Sequence, residues 1–104
     1  MKFQNAPTGW SQESALAQAA QEDITLTDEH WDVIRSIQSY FARRGGQPIN
    51  TRELLDALDE KYYRFGGKKY LYKLFPGGPI AQGCRFSGIQ PPAGSTDHGF
   101  GSVQ

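Results

Sequence analysis

A chain of 104 residues with 38% hydrophobic side chains suits one small domain with a thin core. Eleven basic residues balance eleven acidic ones, and a formal net charge of zero argues against a generic polyanion binder. The single cysteine, Cys84, excludes an internal disulfide and fits a reducing compartment. With no basic-plus-apolar leader and no apolar run of membrane length, a cytoplasmic protein without membrane contact is expected.

The elements read as mainly helical. After Trp10, Ser11 caps a helix over Gln12–Gln21, with a weak apolar stripe at Leu16, Ala19 and Ala20. Thr27 caps the next helix. Asp28 and Glu29 fall in its first turn, where acids oppose the positive end of the helix dipole. Leu26 and Trp31 occupy the two positions of a hydrophobic staple. Val33, Ile34, Ile37, Tyr40 and Phe41 continue at helical spacing until Gly45-Gly46 stops the helix. Asn50 caps a third helix, with Glu53 at the capping-box position and Leu54, Leu55, Leu58 and Tyr62 toward the core.

Gly66-Gly67 breaks the chain before a short helix over Lys68 to Phe75. Pro76-Gly77-Gly78-Pro79 turns it, and Pro79 suits the first position of a last helix that ends at Gly88. Residues 1–89 are therefore expected to form a single domain. Residues 90–104, rich in Pro, Gly, Ser and Thr, are expected to form a mobile arm. The pair of helices around Gly66-Gly67 resembles a helix-turn-helix, with Lys68, Lys69 and Lys73 available on its second helix.

The zero net charge hides an asymmetry. Residues 1–60 hold five basic against ten acidic side chains. Residues 61–96 hold Lys61, Arg64, Lys68, Lys69, Lys73 and Arg85 against no acid. This basic stretch reads either as a solvated helix face or as a surface that supports a thiolate at Cys84 and docks an acidic protein. An acidic remainder makes DNA a weaker candidate partner. His30 and His98 have no metal-ligand spacing with Cys84, and no dinucleotide or P-loop fingerprint is present, so neither cofactor nor metal is expected. His30 reads as a packing or surface residue.

The string Tyr70-Leu71-Tyr72-Lys73-Leu74-Phe75-Pro76-Gly77-Gly78-Pro79, preceded by Leu26-Thr27-Asp28-Glu29-His30-Trp31, resembles the DsrC/TusE family of small sulfur-relay proteins over roughly Trp10 to Pro92. The resemblance implies a small orthogonal helical bundle containing the helix-turn-helix-like unit, with a C-terminal arm. It implies protein partners of the relay, a sulfurtransferase or a dissimilatory sulfite reductase. It places Cys84 at one of the two arm cysteines of the sulfite-reductase-linked members, as an accessible sulfur acceptor supported by Arg85, Arg64, Lys68, Lys69 and Lys73. The chain departs from that pattern at Ser95, where those members have their second cysteine and the tRNA-thiolation members their one carrier cysteine. With only Met1–Gly9 before Trp10, the family's N-terminal β-hairpin is expected to be reduced or absent. Two functions follow from the resemblance. One is a sulfur carrier working through Cys84, without an autonomous active site. The other is a regulatory or scaffolding paralogue that keeps the docking surface, with DNA binding through the helix-turn-helix-like unit as a further option.

Overall fold

Ser11 and Ser14 open the first helix by exchanging hydrogen bonds. The Ser14 N–H reaches Ser11 Oγ at 3.0 Å and the Ser11 N–H reaches Ser14 Oγ at 3.1 Å. In the computed structural model, which describes residues 3–45, 47 and 50–90, five helices follow one another: α1 (Gln12–Gln21), α2 (Asp28–Arg43), α3 (Thr51–Lys61), α4 (Lys68–Leu74) and α5 (Pro79–Ser87). One turn of 3-10 helix, Tyr63–Phe65, joins α3 to α4. No strand occurs among the described residues, so the mainly helical expectation holds and Phe3–Gly9 form no hairpin. Of the expected arm, residues 90–104, all but Gln90 lie outside the described residues.

Local chemistry sets the helix ends. α1 stops in a turn whose reversal falls on Asp23 at φ 62, with the Ile24 N–H reaching back to Ala19 O at 2.9 Å. α2 starts at Thr27, whose N–H donates to His30 Nδ1 at 3.1 Å. α3 starts at Asn50, which accepts from the Glu53 N–H at 3.1 Å. Here the expected capping box is only half formed, because the Glu53 carboxylate turns to Arg44 at 3.4 Å. The expected stripe on α1 is also corrected. Ala15 and Ala19 are buried, whereas Leu16 is 48% exposed and Ala20 faces solvent. Small side chains are what lets α1 approach α5 closely.

α5 is the middle of the molecule. All its residues except Arg85 are buried, and it packs against each of the other four helices. Small side chains at Ala81, Gly83, Cys84 and Ser87 allow approach from several sides, and the buried polar Gln82 and Ser87 have their hydrogen bonds made. At Gly83 an added methyl would lie 2.7 Å from Ile37 Cδ1 of α2.

The last four carbonyls of a helix have no partner within it. In α5 all four find one. Ile89 N–H donates to Cys84 O at 2.9 Å and Gly88 N–H to Arg85 O at 3.3 Å. Trp10 Nε1–H donates to Phe86 O at 2.7 Å, and the Gln38 side-chain amide to Ser87 O at 3.0 Å. Gly88 reverses the chain at φ 78, and Ile89 folds back into the core. His30 does similar work for α4. Its Nε2–H donates to Leu74 O at 2.7 Å while Nδ1 accepts at Thr27, which fixes the neutral tautomer. The sequence leaves His30 as a packing or a surface residue, and the structure places it in the packing.

Candidate functional site

Cys84 occupies the sixth position of α5 and is 0% exposed within the main apolar cluster. This corrects the expectation of an accessible thiol. Burial pushes the thiol up to about 12, against an ordinary 9.0, and the neighbouring Arg85 charge offsets only part of that. At neutral pH the sulfur is a protonated core atom. The physical reason is the central place of α5: the face that carries Cys84 turns inward rather than toward the chain's exit.

Arg85 is the one residue of α5 that reaches the surface, and it is already engaged. Its Nε donates to Glu22 Oε2 at 2.9 Å and its Nη2 to Glu22 Oε1 at 2.7 Å, a two-pronged grip across 63 positions of sequence. Gln82 adds a bond to Glu22 Oε1 at 2.8 Å and Gln18 one to Oε2 at 2.7 Å. Burial alone would raise the Glu22 carboxyl. The hydrogen bonds from Arg85, Gln18 and Gln82 outweigh it and hold the group at about 2. Gln82 also accepts from the Gly77 N–H at 2.8 Å, tying the Pro76–Pro79 turn into the same cluster. Arg85 therefore clamps α1 to α5, and its charge is balanced by Glu22 beside the thiol.

The other cations behave as expected in exposure and not in placement around sulfur. Arg64, Lys68, Lys69 and Lys73 are all exposed, and none forms an ion pair among the described residues. On α4, Leu71 and Leu74 face the core, which leaves Lys68, Lys69, Tyr72 and Lys73 on the outer side. The acceptor thiol is buried while these cations face solvent, so the sequence-predicted site divides into a core cysteine, an α1–α5 clamp and a basic surface.

That surface has members that the sequence reading missed. Tyr63 is 77% exposed, Phe65 64% and Tyr72 49%. Phe65 packs on Tyr70 with ring centroids 5.5 Å apart, and Tyr70 stacks on Tyr62 at 5.8 Å. Tyr62 is buried, and its hydroxyl donates to Asp32 Oδ2 at 2.7 Å. The exposed ring of Phe65 thus stands on a ladder anchored in the core. The available signal was the run Tyr62-Tyr63-Arg64-Phe65, since three aromatics in four positions cannot all face one core. Among the described residues no group of three His, Cys, Asp or Glu side chains could hold a metal ion. None of the described helices is long and apolar enough to cross a membrane.

These features define a small, mainly helical protein with one buried thiol and a basic, aromatic surface beside it in sequence. The chain belongs to the DsrC-like family: the family model "DsrC like protein" matches residues 2–95. It is 40% identical over 84 residues to "Sulfurtransferase TusE" of Photorhabdus laumondii, covering 80% of this chain and 75% of that protein. It is 38% identical over 86 residues to the protein of the same name from Yersinia pseudotuberculosis, covering 82% and 79%. The NMR structure of Allochromatium vinosum DsrC superposes with a TM-score of 0.69 at 35% identity, over 90% of this chain and 87% of that one. The family resemblance carried by Tyr70–Pro79 and Leu26–Trp31 is borne out.

Proposed function

We propose that this chain serves a sulfur relay as a docking component, engaging a sulfurtransferase or sulfite reductase partner through the basic, aromatic surface of Tyr63–Lys73 while Cys84 stays masked. Family membership supports the relay. The burial of Cys84, 0% exposed, carries the choice of docking over sulfur carriage. Ser95 at the terminal-cysteine position points the same way, since a hydroxyl cannot hold a persulfide. Exposed aromatics beside unpaired cations are the residue types that dominate binding energy at protein interfaces. The cations suit an acidic partner, to which they would speed association.

A second reading keeps Cys84 as the sulfur acceptor. Its support is the position of the thiol five residues before the chain leaves the core at Ile89. It requires α5 to lift before sulfur can reach the thiol. Mass spectrometry of the folded protein after exposure to a persulfide donor separates the two. The docking reading expects no sulfur adduct on Cys84 without denaturant. A sulfur adduct on the folded chain would overturn it in favour of the carrier. For the docking surface, the charge reversals Lys68→Glu, Lys69→Glu and Lys73→Glu should weaken capture by a purified sulfurtransferase partner in a salt-dependent way. Tight binding of random duplex DNA at physiological salt would instead favour the helix-turn-helix-like unit as a DNA reader.

A further inference from the structure

α2 carries Arg35, Ser39 and Arg43 at every fourth position, which stacks them along one stripe of the helix. Ser36 and Tyr40 lie on the neighbouring stripe. A pocket of about 80 Å³ opens where Ser36, Ser39, Tyr40 and Arg43 meet α3 at Leu58 and Lys61. A larger cleft of about 300 Å³ adjoins it and reaches the N-terminal segment at Phe3–Asn5; Ser36, Ser39 and Lys61 line both.

The smaller pocket is positive although it lies in the acidic half of the sequence. Among the described residues no acid lines it. Asp32, in the larger cleft, has both oxygens taken. Oδ1 accepts from Arg35 at 2.8 Å and Oδ2 from the Tyr62 hydroxyl at 2.7 Å. Glu53 on α3 is drawn off to Arg44 at 3.4 Å. Arg43 and Lys61 are both exposed and form no ion pair among the described residues.

The donors are also placed. Arg43 Nη1 donates to Ser39 Oγ at 3.1 Å, which holds the guanidinium at the pocket wall. The Ser39 hydroxyl hydrogen must then point away from Arg43, and it has no acceptor among the described residues. The Lys61 ammonium stands 5.8 Å from the centre of the Tyr62 ring, whose hydroxyl meets Ser36 Oγ at 2.9 Å. Leu58 is buried and adds an apolar wall, beside which charges attract more strongly than in open water.

We infer that this pocket binds a tetrahedral oxyanion of the phosphate or sulfate class, held by the Arg43 guanidinium, the Ser39 hydroxyl and the Lys61 ammonium. Three donor groups suit an anion with four oxygens. A planar carboxylate, with two, meets them less completely. The volume is well below the roughly 300 Å³ at which sites for whole metabolites begin, so the pocket takes the ion or the charged end of a larger molecule. This site is separate from the docking surface on α4.

The test is a nitrogen-15 NMR titration of the full chain with sodium phosphate, with ionic strength held constant by chloride. Saturable shifts are expected at the amides of Ser39, Tyr40, Arg43 and Lys61. Ser39→Ala, Arg43→Gln and Lys61→Gln should each weaken binding about tenfold, the worth of one hydrogen bond to a charged group. None of the three belongs to the core cluster, so each variant should fold. Titration with glycerol phosphate separates the two sources. Tighter binding than inorganic phosphate supports the inference with a phosphate ester as ligand, its organic part in the adjoining cleft. Equal binding supports it with the free anion. No saturable shift up to about 20 mM would overturn the inference. Binding unchanged in Ser39→Ala would also overturn it, because loose attraction to surface cations needs no hydroxyl. Shifts confined to Lys68–Lys73 would overturn it by moving the anion to α4.

Discussion

Glu22, one residue past the end of α1, holds Arg85 of α5 through both carboxylate oxygens, at 2.9 and 2.7 Å. This clamp joins the first helix to the last. Its carboxyl is held at about 2, below the ordinary 4.5, by bonds that outweigh the penalty of burial. A carboxyl whose folded value is depressed adds stability that is complete above its unfolded value and is lost as pH falls through the folded one. The window here runs from about 4.5 down to about 2. Arg85 is 37% exposed, so water screens the pair, and Glu22→Ala is expected to cost about 1 kcal/mol at neutral pH. Urea titrations of both proteins at about pH 7 and about pH 3 check this. The gap should narrow in acid, and a gap independent of pH would mean that Glu22 acts by packing alone.

Cys84 should behave as a core atom. With the thiol raised to about 12 by burial, iodoacetamide at about pH 8 is expected to label the folded chain at least about a hundredfold more slowly than the denatured chain, because reaction must wait for α5 to open. A group whose folded value is raised adds stability below its unfolded value and loses it as pH rises, so Cys84 should make the fold less stable from about pH 9 upward. Cys84→Ser should remove that alkaline dependence. Equal labelling rates in the folded and denatured chains would restore the carrier reading.

The parts of this fold that the sequence revealed are those set by neighbours in the chain. Ser11, Thr27, Asn50 and Pro79 each mark a helix start through atoms only a few residues away. The family strings likewise lie in short contiguous runs. What the sequence hid depends on pairs far apart. Glu22 and Arg85 meet across 63 positions, Gln38 and Ser87 across 49, and Trp10 and Phe86 across 76. Those contacts put α5 at the centre, and that centrality reverses the reading of Cys84. Arg85 and Cys84 are adjacent in sequence, yet one faces Glu22 at the surface and the other the core. The side stripe of α1 was misread for a related reason. Leu16 is the larger apolar residue, but only the small Ala15 and Ala19 fit the close approach to α5.

The capped end of α5 gives a coupled prediction. Gly88 sits at φ 78, and a methyl added there would lie 2.7 Å from Trp10 Cδ1. Gly88→Ala is therefore expected to cost about 2 kcal/mol from backbone strain and crowding combined. Trp10→Ala should also destabilise, by about 3 kcal/mol, through a lost ring and an orphaned Phe86 carbonyl. Because the clash is with the indole itself, the double variant should be more stable than the sum of the two losses predicts, by about 1 kcal/mol. A thermodynamic cycle from chemical denaturation measures this. Strict additivity would place the cost of Gly88→Ala in the backbone alone.

Phe65 separates docking from folding. It is 64% exposed, so Phe65→Ser removes little core, and the ring packing on Tyr70 and Tyr62 is lost, a cost of about 0.5–1 kcal/mol. If the Tyr63–Lys73 surface docks a relay partner, Phe65 is an anchor seated on a rigid ladder, and its loss should weaken binding at least about tenfold. The kinetic signature differs from that of the neighbouring cations. Reversing Lys68, Lys69 and Lys73 should slow association and make it less sensitive to salt, because those charges act at long range. Phe65→Ser should leave association nearly unchanged and speed dissociation, because an apolar anchor acts only in contact. Surface plasmon resonance with an immobilised sulfurtransferase partner resolves both rates. Unaltered dissociation in Phe65→Ser, with a fold as stable as expected, would remove the aromatic ladder from the interface and leave docking to charge alone.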